Sequence, residues 1–167
     1  MRIALATMLC FAVLVDVARG YRVDRMRMPV VDAVIHSAEC PHIPTGGSCA
    51  IGAEVWVSPR ASRFTFAHEL GHAFDAQALD ARARDWLTTR LGFPVGTAWE
   101  TPSAALGPVD PSERFADAYA HCALGTRPRD IIGYGYLPGR KRHRRICNAI
   151  AILGLVYQSA EPPQSTR

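Results

Sequence analysis

Two histidines and a glutamate fall inside one helical repeat, and that repeat constrains this chain more than any other feature. His68-Glu69-Leu70-Gly71-His72 lies in a segment where Phe64, Ala67, Gly71, Phe74 and Ala78 recur at steps of three and four. That spacing makes one apolar stripe and predicts a helix over about residues 62–78. Residues four apart on a helix stand one turn above each other, so His68 and His72 project to the same place. Gly71 in a helix interior costs about 1 kcal/mol relative to Ala. Its expected use is the close approach of a neighbouring element behind the two histidines.

Two neutral imidazoles aimed at one point are a ligand pair for Zn2+. Glu69 sits beside them and can reach the position left open for a water. There it would take a proton from that water as the oxygen attacks a carbonyl. The plain alternative is a helix with two surface histidines and no chemistry. A catalytic zinc needs a third protein ligand, so the rest of the chain has to supply one.

Val30 to His36 is β-branched and apolar and reads as a strand; Ala53 to Ser58 alternates and reads as a second. The two are expected to pair as an antiparallel ribbon. A charged segment, Asp80 to Leu91, predicts a helix with Trp86, Leu87 and Leu91 inward. Gly92 to Asp110 is a loop by composition. Further helices are expected over Pro111–Leu124 and His143–Gln158, separated by a loop with a Gly-Tyr-Gly-Tyr stretch. With 167 residues and neither repeat nor linker, this is one domain, over residues 21–160. The class is α+β: a short sheet or ribbon packed on the histidine-bearing helix, with about three further helices.

The first twenty residues have the layout of a secretory signal peptide. Arg2 precedes an apolar run from Ile3 to Val15, and Ala18-Arg19-Gly20 supplies a small-residue cut site. An uncleaved anchor is the alternative, although the run falls short of the roughly 20 residues of a comfortable span. Beyond the leader four cysteines remain, an even number that suits an exported domain with two disulfides. Three pairings are possible. Cys40 and Cys49 flank one loop and Cys122 and Cys147 fall on two expected helices, which favours Cys40–Cys49 and Cys122–Cys147. A metal site from Cys40, His42 and Cys49 has poor spacing and lacks a fourth ligand. The chain is therefore expected to be secreted. Residues 161–167 form a polar tail.

The whole chain carries 19 basic and 15 acidic residues. Of these, Arg2, Arg19 and Asp16 belong to the leader, leaving a net charge of +3. That is too mild to imply a nucleic-acid partner. The local exception is Arg140, Lys141, Arg142, Arg144 and Arg145, around His143. These read as a solvated loop leading into a helix, or as a weak contact for an anionic surface.

The motif at residues 68–72 resembles that of the zincin metallopeptidases. In the metzincin branch a His follows six residues after the second motif His, with a Gly midway; here those positions are Ala78 and Asp75, which excludes it. The gluzincin branch takes a Glu from a later helix, and Glu113-Arg114-Phe115-Ala116-Asp117 is similar to the corresponding phrase, particularly that of ImmA/IrrE-type peptidases. The resemblance spans two helices, about 62–78 and 111–124. It implies Glu113 as third zinc ligand, Asp117 as the acceptor that orients a ligand imidazole, and Ala53–Ser58 as a strand bordering the cleft. Read from its neighbours alone, Glu113 also fits a capping box, with Asp110 at the N-cap and Pro111 at N1. Both readings stand at this point. The leader speaks against an intracellular repressor-cleaving role.

Asp75 lies on the metal side of the same helix, but one helix rarely gives three ligands to one tetrahedral ion, so a supporting or surface role is expected. His121 extends the Glu113–Asp117 face by a turn, and Tyr134, Tyr136 and His143 are candidates to steady an oxyanion. Three functions compete: an exported, monomeric zinc endopeptidase acting on a peptide or protein, a zinc amidase acting on a cell-wall amide, and a non-catalytic zinc-binding module.

Overall fold

A computed structural model describes residues 26–100, 110–131 and 133–159. The expected leader, residues 1–20, and the tail, residues 161–167, lie outside the described residues. The architecture is α+β, with strands β1 (Val34–His36), β2 (Cys49–Ile51) and β3 (Glu54–Trp56) followed by helices α1 (Arg63–Ala78), α2 (Ala81–Leu91), α3 (Pro111–Leu124) and α4 (Arg140–Ser159).

The sheet departs from the expected ribbon. Its order is β1-β3-β2, and β1 pairs with β3 in parallel, not antiparallel. The antiparallel partner of β3 is β2, which the alternation pattern did not reveal because three residues are too few to show a period. Gly52-Ala53 turns β2 into β3 as a two-residue hairpin, so β2 takes one flank of β3 and leaves β1 the other. The loop ahead of β2 is closed by the Cys40–Cys49 disulfide. Glu39 fastens it further, accepting from the Gly47 N–H and the Ser58 hydroxyl.

Each helix begins where the chain offers a side-chain oxygen to free backbone N–H groups. Ser62 caps α1 through Thr65, Asp80 caps α2 through Ala83, and Asp110 caps α3 through Glu113. α1 is buried well beyond the expected stripe: residues 66–71 and 73–75 are all buried, whereas Phe64 and Ala78 are only half-buried. Neighbours on several sides account for this, with α3 along one face and β2, β3 and α4 on others. In α2, Leu87 and Leu91 point inward as expected, but Trp86 is exposed, its ring covered by the Arg90 guanidinium at 4.0 Å. α4 begins at Arg140, three residues earlier than expected, so the basic run is the start of the helix and not a loop before it.

Phe66, Leu70 and Phe74 of α1, Leu87 of α2, Phe115 and Tyr119 of α3, Ile146 and Ile150 of α4 and Val55 of β3 form one core. Each such side chain contributes roughly 1.5–3 kcal/mol by leaving water. The Cys122–Cys147 disulfide joins α3 to α4, which completes the expected pairing. Two disulfides fit an oxidising environment. Among the described residues no helix is long and apolar enough to cross a membrane.

Candidate metal centre

α1 and α3 pack tightly against each other at Gly71. A Cβ built there would lie 2.9 Å from the Ala116 Cα and 3.1 Å from the Tyr119 Cβ, so any side chain larger than hydrogen would force the helices apart. On α1, His68 and His72 stand three residues before and one after this point. On α3, Glu113 and Asp117 stand three before and one after Ala116. Two helices in contact at small residues thus turn equivalent positions toward each other, which brings four polar side chains together over the crossing.

The separations suit a small cation. His68 Nε2 lies 3.2 Å from His72 Nε2 and 3.2 Å from Glu113 Oε2, and His72 Nε2 lies 3.6 Å from Glu113 Oε1. Ligands held about 2.0–2.1 Å from a tetrahedral ion stand roughly 3.3–3.4 Å apart, and the two imidazole nitrogens lie near that distance from each other and each from one oxygen of the Glu113 carboxylate. On the far side of the ring, His68 Nδ1 lies 3.0 Å from Asp117 Oδ1, a bond that fixes the imidazole and turns Nε2 to the centre. Donor set, spacing and orientation all fit Zn2+. Only half of the capping box forms: Asp110 accepts from the Glu113 N–H, while the Glu113 carboxylate faces the histidines.

The electrostatics follow. Burial pulls the His68 imidazole down, but its bonds to Asp117 and Glu113 and the charges of Glu69 and Glu113 outweigh this and raise it to about 9. Burial raises the Glu113 carboxyl, and the bonds to His68 and His72 with their charges more than reverse it, to well below the usual carboxylate range. Glu69 differs: burial raises its carboxyl, against the lowering pull of His68 and His72. A carboxylate with raised proton affinity beside the centre suits a general base. Side-chain exposure rises from 7% at His68 to 21% at His72 and 33% at Glu113, so the centre opens to solvent along the His72–Glu113 side.

The loop after α3 brings one of the three oxyanion candidates, Tyr134, beside the centre. Gly133 lies directly against Asp117, where a Cβ would collide with the carboxylate. That approach lets the Tyr134 N–H donate to Asp117 Oδ2 and sets the Tyr134 ring 5.1 Å from the His68 ring. Burial, then the charges of Glu113, Glu69 and Asp117, raise the Tyr134 hydroxyl above its ordinary value. The Gly-Tyr-Gly spelling was the available signal, but nothing local said which buried carboxylate the loop would meet.

The remaining candidates are engaged elsewhere. Asp75 is buried and accepts from Arg84 Nε and Trp99 Nε1, both at 2.7 Å, so it ties α1 to α2 and the following loop. His121 is fully buried, with Nδ1 at 2.8 Å from the Thr126 hydroxyl. The Tyr136 hydroxyl and His143 Nδ1 lie 2.9 Å apart and satisfy each other. Cys122, His143 and Cys147 also place potential ligand atoms within metal-binding distance, but both sulfurs belong to the disulfide. Arg140, Lys141, Arg142, Arg144 and Arg145 are exposed at the start of α4. No family model, curated protein or solved structure matches the chain.

Proposed function

We propose that this chain is a zincin-like zinc endopeptidase, exported to an oxidising compartment, in which His68, His72 and Glu113 hold the metal. The observation that carries the reading is the convergence of the His68 and His72 Nε2 atoms, 3.2 Å apart, on the two oxygens of the Glu113 carboxylate at 3.2 and 3.6 Å, with Asp117 bonded to the far nitrogen of His68. When bound, zinc supplies Lewis acidity, which acidifies water and stabilises negative charge on a carbonyl oxygen.

The chain's own residues do the rest. Asp117 keeps the His68 ring in position. The Glu69 carboxylate takes a proton from the attacking water as its oxygen adds to the peptide carbonyl, then delivers that proton to the nitrogen of the departing amine. Tyr134 stands beside the centre with a hydroxyl able to donate to the oxyanion, the role that Tyr136 and His143, paired with each other, are not free to take.

Metal analysis and hydrolysis of a peptide library test the proposal together. The purified chain should contain one zinc, and Glu113→Ala should lose it. Glu69→Gln should keep the zinc and lose roughly 10²–10⁴-fold in hydrolysis. Full activity in Glu69→Gln would end this mechanism. A zinc-free wild-type chain would favour a non-catalytic module, and cleavage of wall fragments but not peptides would favour an amidase.

A further inference from the structure

The outward face of α4 takes no part in the core or in the metal centre. Its inward face buries Ile146, Ile150 and Gly154. The outward face divides along the helix axis. The first turns expose Arg140, Lys141, Arg142, Arg144 and Arg145, none of them in an ion pair among the described residues. The last turns expose Ile152, Leu155 and Val156 at 61, 63 and 61%. The helix contains no Asp or Glu. At 3.6 residues per turn, Lys141, Arg144, Arg145, Ile152, Leu155 and Val156 share an arc of about 120°.

Neither half of this face is favourable to the isolated protein. A helix N-terminus carries partial positive charge, so cations in the first turn oppose it, and α4 has no acidic residue there to compensate. The apolar half leaves three large side chains in water. The first turns also edge an open concavity of about 720 Å³ shared with Arg90 and the exposed Leu137. One surface thus carries cations, with Leu137 beside them, at one end and apolar side chains at the other, and the Cys122–Cys147 disulfide fixes it to α3.

We propose that this face docks the protein on an anionic lipid surface. The arginines and Lys141 would meet headgroup phosphates, and Ile152, Leu155 and Val156 would enter the boundary between headgroups and acyl chains. A nucleic acid would satisfy the cations but leave the apolar half exposed, which is why lipid is the better match. Because the face is already folded, binding needs no ordering of the helix.

Cosedimentation of the full chain with phosphatidylcholine vesicles, with and without an equal share of phosphatidylglycerol, tests the proposal. Binding should be at least about tenfold stronger with phosphatidylglycerol and should weaken as salt rises. Arg144→Glu with Arg145→Glu should remove the preference, and Ile152→Ser with Leu155→Ser should reduce binding about tenfold. These side chains are exposed, so unchanged thermal unfolding would certify each variant, and the N-terminal residues are common to all. Glu69→Gln should bind vesicles like the wild type, which separates this test from that of the peptidase. Equal binding to both vesicles, or an indifferent charge-reversal pair, would overturn the proposal. Tight binding to duplex DNA that ignores the Ile152 and Leu155 changes, without a vesicle preference, would replace it with a nucleic-acid surface.

Discussion

At its N-terminal end α3 turns Glu113 and Asp117 toward two histidines of α1; two turns further on it turns His121 and Cys122 toward His143 and Cys147 of α4. Both clusters bring ligand-type side chains within reach of a single ion. They differ in what the donor atoms are already doing. At the C-terminal end the sulfurs are bonded to each other, His143 shares its Nδ1 with Tyr136, and His121 shares its own with Thr126. Burial leads the effects on both imidazoles and lowers both. At the N-terminal end two carboxylates face one buried imidazole and lift it to about 9, and the facing donors stand at tetrahedral spacing. Proximity of ligand-type residues is therefore not the discriminating feature. Carboxylates bonded directly to an imidazole are, together with ligand atoms not consumed in a disulfide.

Four variants would break or sharpen this contrast. The largest effect is expected from Cys122→Ala with Cys147→Ala, which removes the staple and should cost about 3 kcal/mol in chemical denaturation. Zinc affinity should be unchanged; a tenfold fall would show that the two ends of α3 are coupled. Asp117→Asn comes next. The amide cannot accept from both His68 Nδ1 and the Tyr134 N–H with its two terminal atoms, and zinc affinity in a chelator competition should fall about 10–100-fold. An unaltered affinity would remove Asp117 from the centre.

Gly71→Ala follows, with a net loss of roughly 1–2 kcal/mol: overpacking against Ala116 exceeds the propensity that alanine adds to a helix. A stabilised variant would mean that α1 and α3 do not touch there. The smallest effect belongs to Tyr136→Phe, which gives up one hydrogen bond at about 1 kcal/mol and should leave hydrolysis intact. If its hydrolysis fell as far as that of Tyr134→Phe, the oxyanion donor would have to be sought at the other end of α3.

Much of the helical part of the fold is legible in the sequence. The cap at Asp110 and the three-and-four spacing of apolar residues place α1, α2 and α3 within a residue, because those signals are local. Trp86 misled because helical spacing says which residues share a face, not whether that face finds a partner. The basic run misled at the start of α4, since five cations with no acidic residue look like a loop, yet backbone bonding and the packing of Ile146 and Ile150 hold it helical. The sheet was the least legible element: strands of three residues show no period, and parallel pairing of β1 with β3 depends on where β2 lies.

The sequence by itself determined the pair of histidines one turn apart, the glutamate between them, and the glycine that a close neighbour would require. These follow from the pitch of a helix, which relates residues four apart whatever surrounds them. Only the tertiary structure decided that the neighbour is Ala116, that Glu113 and Asp117 consequently reach opposite nitrogens of His68, and that Tyr134 and not Tyr136 stands beside them. His68 and Glu113 are 45 residues apart, and no local rule relates them. What does is the depth to which two helices approach when hydrogen replaces a side chain at the point of contact.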